Sequence, residues 1–347
     1  MVDLNNLEEI KKLDPKDVFA STEMFADQCK QVFDEYFNVE FFKPEDKQIK
    51  NIVLCGMGGS AYGGYIASSL FHKEFKVPLT IVNDYSLPGF VNEDSLVLLV
   101  SYSGSTEETL SCANEALEKG ARIAGFSTGG KLGEFLKDKY PGFTFNPLHN
   151  PSGQPRLATG YIAMGTLALL RSLGAFEINL EEVLKAIEEV RNNKNDIKTK
   201  AMEIAKSIQN FIPLIFASQH LLGNAHILRN QFNETSKSFS AFEDIPELNH
   251  HLMEGLKNPV DKKLKVLFLS SDSYSEKHRI RLELTKDVVK QNGLDYIDYK
   301  PSGSSKLSEV LNVLSFGGYL TFYLAILYGQ DPSVIPWVDY FKEKLSK

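Results

Sequence analysis

Apolar positions along the chain follow two rhythms. Residues 51–55 (NIVLC), 79–83 (LTIVN), 96–100 (LVLLV) and 122–126 (RIAGF) are short, nearly unbroken apolar runs. Runs of that length predict strands buried on both faces. The segments between them have helical length and open near Ser60, Thr106 and Leu132. Strands alternating with helices of this size predict right-handed βαβ units and a parallel sheet. Residues 143–155, FTFNPLHNPSGQP, hold three prolines and close this unit. A mostly apolar helix, TGYIAMGTLALLRSL (159–173), follows.

The second half repeats the rhythm. Residues 177–209 are charged and predict a connecting helical region with one solvated face. FIPLIFAS (211–218), KVLFLSSD (265–272) and DYIDYK (295–300) then predict strands, with helices over 223–237 and 276–291. Two βα sheets of similar size suggest a duplicated architecture, although the residues themselves show no internal repeat. Residues 1–50 predict amphipathic helix, and DPSVIPWVDYFKEKLSK a proline-punctuated loop with a short terminal helix. Residues 312–329 carry no charge over 18 positions, the length of a membrane span. Asn312, Ser315, Gly317 and Gly318 interrupt that run, and no basic cluster flanks it. It therefore predicts a buried core helix.

Composition narrows the class. The 347 residues are 43% hydrophobic and 24% charged, which fits a folded chain with a sizeable core. The net charge of −7 argues against a nucleic-acid surface. Cys29, Cys55 and Cys112 form neither a CxxC pair nor a Cys/His metal pattern. Few cysteines and an acidic, polar N-terminus predict a cytoplasmic protein.

The candidate chemistry lies at the ends of two strands. The first strand runs into Gly56-Met57-Gly58-Gly59-Ser60-Ala61, whose glycines let backbone N–H groups approach an anion closely. The strand at 96–100 runs into Ser101, Ser103, Ser105 and Thr106 at a helix start, where the helix dipole favours negative charge. Ser105 and Glu108 fit a capping box, but four hydroxyls in six residues exceed what capping needs. Two such loops predict a phosphorylated small molecule held from two sides. The string GMGGSA also fits the dinucleotide fingerprint GxGxxA, with Asp84 placed as a ribose-binding acid. A dinucleotide-dependent oxidoreductase is thus an alternative, in which the second loop has no task.

GMGGSA followed by SYSGST resembles the sugar isomerase (SIS) domain, a flavodoxin-like α/β unit that binds phosphosugars. QPR (154–156), NETSK (233–237), ELNHHLMEG (247–255) and the terminal FKEKL (341–345) resemble the bifunctional phosphoglucose/phosphomannose isomerase family. The resemblance implies two SIS domains, at 51–176 and 211–330. They would be joined by a helical region at 177–210, preceded by the helical segment 1–50 and followed by a C-terminal helix within 331–347. It also implies a homodimer with composite active sites, a phosphorylated hexose substrate, and no cofactor, nucleic acid or membrane. A non-catalytic phosphosugar-binding SIS protein is the other alternative.

By this resemblance Glu234 matches the catalytic base and His250 the ring-opening residue, which acts on the partner subunit's substrate. Arg156 matches the cation that stabilises the enediolate, and Lys342 a lysine that helps ring opening. Ser333 matches a hydroxyl position that permits both C2 epimers. Gly58, Gly59, Ser60, Ser101, Ser103 and Thr106 would bind the phosphate. The chain reads NHH where the family usually reads NHN, which leaves His251 as an alternative to His250. It reads NETSK where the family usually reads NENxK, and Lys344 competes with Lys342 for register.

Overall fold

The computed structural model describes residues 3, 4, 6–40 and 49–345. Part of the expected N-terminal helical segment, residues 41–48, lies outside the described residues. Before them stand helices Leu7–Leu13, Val18–Glu23 and Phe25–Tyr36.

Two parallel sheets follow. The first holds β1 (Asn51–Cys55), β2 (Leu79–Val82), β3 (Ser95–Ser101), β4 (Arg122–Ser127) and β5 (Gly142–Thr144), in spatial order β2-β1-β3-β4-β5. The second holds β6 (Ile212–Ala217), β7 (Ala241–Asp244), β8 (Leu264–Leu269) and β9 (Tyr296–Tyr299), in order β7-β6-β8-β9. Every pairing is parallel. The order reverses between β1 and β3, and again between β6 and β8. Ligands of open α/β sheets collect in the crevice at such switch points, beyond the strands' carboxyl ends.

Side-chain alternation explains how the sheets face one another. Ile52, Leu54, Leu96, Leu98 and Val100 point into a core shared with Ile215, Ala217, Leu267 and Leu269 of the second sheet. The intervening Val53, Cys55, Val97 and Leu99 pack outward with Cys112 and Ile123. Leu214, Phe216, Val266 and Phe268 do the same on the far side of the second sheet. Both faces are covered, so the strands read as continuous apolar runs.

The apolar run near the C-terminus lies in helix Lys306–Leu327, whose most apolar window is 94% buried. It packs against helices Leu180–Asn192, Lys194–Ile208 and Leu222–Glu234. Its Tyr319 donates to Glu23, which also pairs with Lys194 and Lys198 and ties the N-terminal helices to the centre.

Three expectations change. The charged segment 177–209 is two helices broken at Asn193, which serves as C-cap of one and N-cap of the next. Strands β5 and β7 were not legible: they are edge strands of three and four residues without an apolar run. The capping box at Ser105 is not formed, because the helix Glu107–Glu118 has Thr106 as N-cap with no side-chain cap bond.

Candidate active site

The carboxyl ends of β1 and β3 open into a cleft of about 770 Å³. Gly58 adopts φ +50° in the 3-10 turn Gly58–Ala61, a conformation most L side chains resist. This turn lies against a second one, Pro155–Leu157, and a Cβ on Gly59 would stand 3.3 Å from the Arg156 Cα. Two backbones meet here with no side chain between them. Ser60 Oγ accepts from the Tyr102 N–H at 3.1 Å and so joins the glycine loop to the hydroxyl loop.

The hydroxyl loop is internally braced. Ser101 Oγ and Thr106 Oγ1 are 2.8 Å apart, and Ser101 Oγ also accepts from the Gly104 N–H at 3.1 Å. Ser103, Ser105 and Thr106 line the cleft, whereas Ser101 is buried behind them and holds the loop's shape.

Arg156 is buried against the cleft wall. Its Nη1 donates to Gln154 Oε1 at 3.0 Å, and its Nη2 to the Pro332 and Ser333 carbonyls at 2.7 and 2.8 Å. Its buried Nε has no partner among the described residues, and neither does the buried Ser333 Oγ. Burial lowers the Arg156 pKa, and the nearby Glu234 charge opposes that shift.

Glu234 is the last residue of helix Leu222–Glu234. That helix belongs to the second unit but packs on Tyr62–Leu70 of the first. The contact is close because Gly223 lies where an added Cβ would stand 2.4 Å from the Tyr65 carbonyl oxygen. The helix thereby delivers its C-terminal carboxyl into the first unit's cleft. Burial raises the Glu234 pKa above the ordinary carboxyl value, while Arg156, Lys237 and Lys342 pull it down. A helix C-terminus is also the unfavourable end of the dipole for a carboxylate.

Lys237 follows in a left-handed conformation, φ +54°. Its Nζ donates to the Asp331 carbonyl at 2.6 Å and the Thr235 carbonyl at 3.0 Å. Burial, reinforced by Arg156, pushes its pKa down to about 8. The loop at Asp331–Ser333 is thus gripped by two cations, Arg156 from the first unit and Lys237 from the second.

The structure brings Gly58, Gly59, Ser60, Ser103, Thr106, Arg156, Glu234, Ser333 and Lys342 to one cleft. Lys344 is not among its lining residues, and its ammonium lies 5.5 Å from the Tyr340 ring centre. His250 and His251 stand apart, exposed at the turn Glu247–His250 beyond β7. Asp84 is also exposed and outside the cleft, its carboxylate accepting from the Tyr85 N–H. Sequence reading missed Lys16, which reaches the cleft from between two N-terminal helices. It also missed the grip of Lys237 on the 331–333 loop. Neither carries a local signal, because both act across long chain separations.

A doubled parallel α/β unit with hydroxyl-lined loops at its strand ends defines a protein of the SIS fold. Residues 197–345 match the family described as "Bacterial phospho-glucose isomerase C-terminal SIS domain". A hypothetical protein of Thermus thermophilus has the same fold, with TM-score 0.74 at 15% identity over 98% of this chain and 93% of that one. The bifunctional phosphoglucose/phosphomannose isomerase of Aquifex aeolicus is 35% identical over 302 residues, 86% of this chain and 91% of that protein. A protein of the same name from Caldicellulosiruptor bescii is 32% identical over 346 residues, 95% of this chain and 99% of that protein. The chain belongs to the bifunctional phosphoglucose/phosphomannose isomerase family.

Proposed function

We propose that this chain is an aldose–ketose isomerase that converts glucose 6-phosphate and mannose 6-phosphate to fructose 6-phosphate by ring opening and enediol proton transfer. The observation that carries the reading is a half-buried Glu234 carboxyl with no hydrogen-bond partner among the described residues, on the same cleft as the buried Arg156 guanidinium. A carboxylate whose pKa is raised by burial is a competent base for carbon-bound protons. It carries the proton between C2 and C1. Arg156, fixed by the Pro332 and Ser333 carbonyls, presents a charge-assisted donor to the oxyanion that forms on O1 and O2. The glycine and hydroxyl loops hold the phosphate and so set the distance from anchor to reacting carbons.

Ring opening needs a group that moves a proton between O1 and O5. Lys342 is in the cleft of the same chain. His250 is not, and its exposure supports a composite site in which it serves the partner's cleft. The exposed apolar side chains of helix Pro336–Leu345, among them Trp337, Phe341 and Leu345, support a homodimer that covers them. Ser333 lines the same cleft, and its backbone contact with Arg156 supports a role in accepting a C2 hydroxyl of either hand.

The test is a coupled assay of purified protein, with chelator present and no added cofactor. Fructose 6-phosphate formation is followed separately from each aldose phosphate. Turnover of both is the expected result. Binding without turnover would favour a phosphosugar sensor and overturn the enzymatic reading.

A further inference from the structure

The second unit carries its own copy of the paired loops. Gln219 opens the turn after β6 with φ +45°, as Gly58 opens the turn after β1 with φ +50°. Each turn leads directly into a helix, and each lies beside the sheet's switch point. From the last residue of β3 the chain reads Ser101-Tyr102-Ser103-Gly104-Ser105 before helix Glu107–Glu118. After β8 it reads Ser271-Asp272-Ser273-Tyr274-Ser275 before helix Glu276–Gln291. Three serines at alternate positions thus lead from strand to helix in both units, with Ser101 the last residue of β3 and Ser271 two residues past the end of β8.

The copies differ in what their hydroxyls face. Glu309, in the first turn of helix Lys306–Leu327, turns its carboxylate into the second pair of loops. Its Oε2 accepts from Ser271 Oγ at 2.5 Å and lies 2.6 Å from His220 Nε2. Its Oε1 accepts from Ser273 Oγ at 3.1 Å. His220, Ser271 and Glu309 are all buried, and His220 Nδ1 has no partner among the described residues. The donors come from both loops, as they would around a phosphate. A cleft of about 390 Å³ reaches Gln219 and His220, with Lys73, Glu74 and Lys306 on its walls.

We infer that the second unit is an oxyanion site of the same kind, in which the Glu309 carboxylate holds the position a phosphate would take. The chain supplies its own anion there and leaves one open phosphate site, at the first unit. Deleting the carboxylate strands His220 and two hydroxyls, a costly state. An external tetrahedral oxyanion that restores those contacts stabilises the folded chain by mass action.

The inference rests on reading the first loop pair as a phosphate site, so the experiment separates the two. Melting temperature is measured against inorganic phosphate, with chloride at equal ionic strength as control, for four proteins. These are the unaltered chain, Ser103→Ala/Thr106→Ala, Glu309→Ala, and the triple variant. Phosphate should stabilise the unaltered chain and not Ser103→Ala/Thr106→Ala, which tests the first loop alone. The triple variant should melt lower without phosphate and recover several degrees as phosphate rises to tens of millimolar, roughly the range of a weak anion site. Where the alanine variant does not fold, Glu309→Ser carries the same measurement, since its hydroxyl keeps one partner for the buried donors. A triple variant that phosphate helps no more than it helps Ser103→Ala/Thr106→Ala, or that chloride helps equally, overturns the inference. A merely structural network would give that result.

Discussion

At the scale of single residues, chemistry concentrates on three side chains whose environments oppose one another. Burial drives Glu234 towards its neutral form while three cations oppose it. Glu234→Gln removes the base and keeps the shape. Turnover should fall by roughly two to four orders of magnitude, with KM changed little, in steady-state assays. Stability should move the other way. A carboxyl whose folded pKa is raised weakens the fold as pH rises from the ordinary carboxyl value through the raised one. The Gln variant should therefore melt above the unaltered chain at a pH of about 8 and lose that advantage below the ordinary value of about 4.5. The rate requires the ionised base, so kcat/KM should fall on the acid side at a pH above that of a free glutamate. Lys237→Met deletes one of the charges holding the Glu234 pKa down, and should shift this acid limb to still higher pH. Lys237→Arg should return it. A limb that stays fixed in Lys237→Met would show that Lys237 only packs. Glu234 and Arg156 were legible only through the resemblance of NETSK and QPR to the family's motifs, and the structure brings both to one cleft. Lys237 was not legible as a clamp, because its partner Asp331 is 94 positions away.

At the scale of elements, the strands were legible because both faces of β1, β3, β6 and β8 are buried, which leaves continuous apolar runs. Edge strands β5 and β7 have no such requirement and left no pattern. The helix Leu222–Glu234 was legible as a helix, but its docking on Tyr62–Leu70 was not. That docking is what carries a second-unit carboxyl into a first-unit cleft. Gly223→Ala would push the two helices apart at a backbone contact. Overpacking of this kind costs about 1–3 kcal/mol, read by chemical denaturation, and kcat should drop as Glu234 is displaced. Unchanged stability would mean that the helices slide without cost.

At the scale of the whole molecule, the duplicated architecture was legible in the rhythm of strands and helices. The correspondence of the two halves was not, because only loop serines and one turn conformation repeat. Glu234→Gln and His250→Ala should each be nearly inactive alone. Hybrid dimers formed by co-expression pair a partner's intact His250 with an intact Glu234 in one of two clefts, and should regain a substantial fraction of activity. A hybrid as inactive as its parents would place both groups in one chain's site.

The most direct test of enediol chemistry at Glu234 is the fate of hydrogen at C2. Fructose 6-phosphate is incubated with the enzyme in D2O, and the aldose products are read by NMR. Glucose 6-phosphate and mannose 6-phosphate carrying deuterium at C2 are expected from the unaltered enzyme, and neither product from Glu234→Gln. Deuterated aldose phosphates formed equally well by Glu234→Gln would contradict enediol chemistry at Glu234.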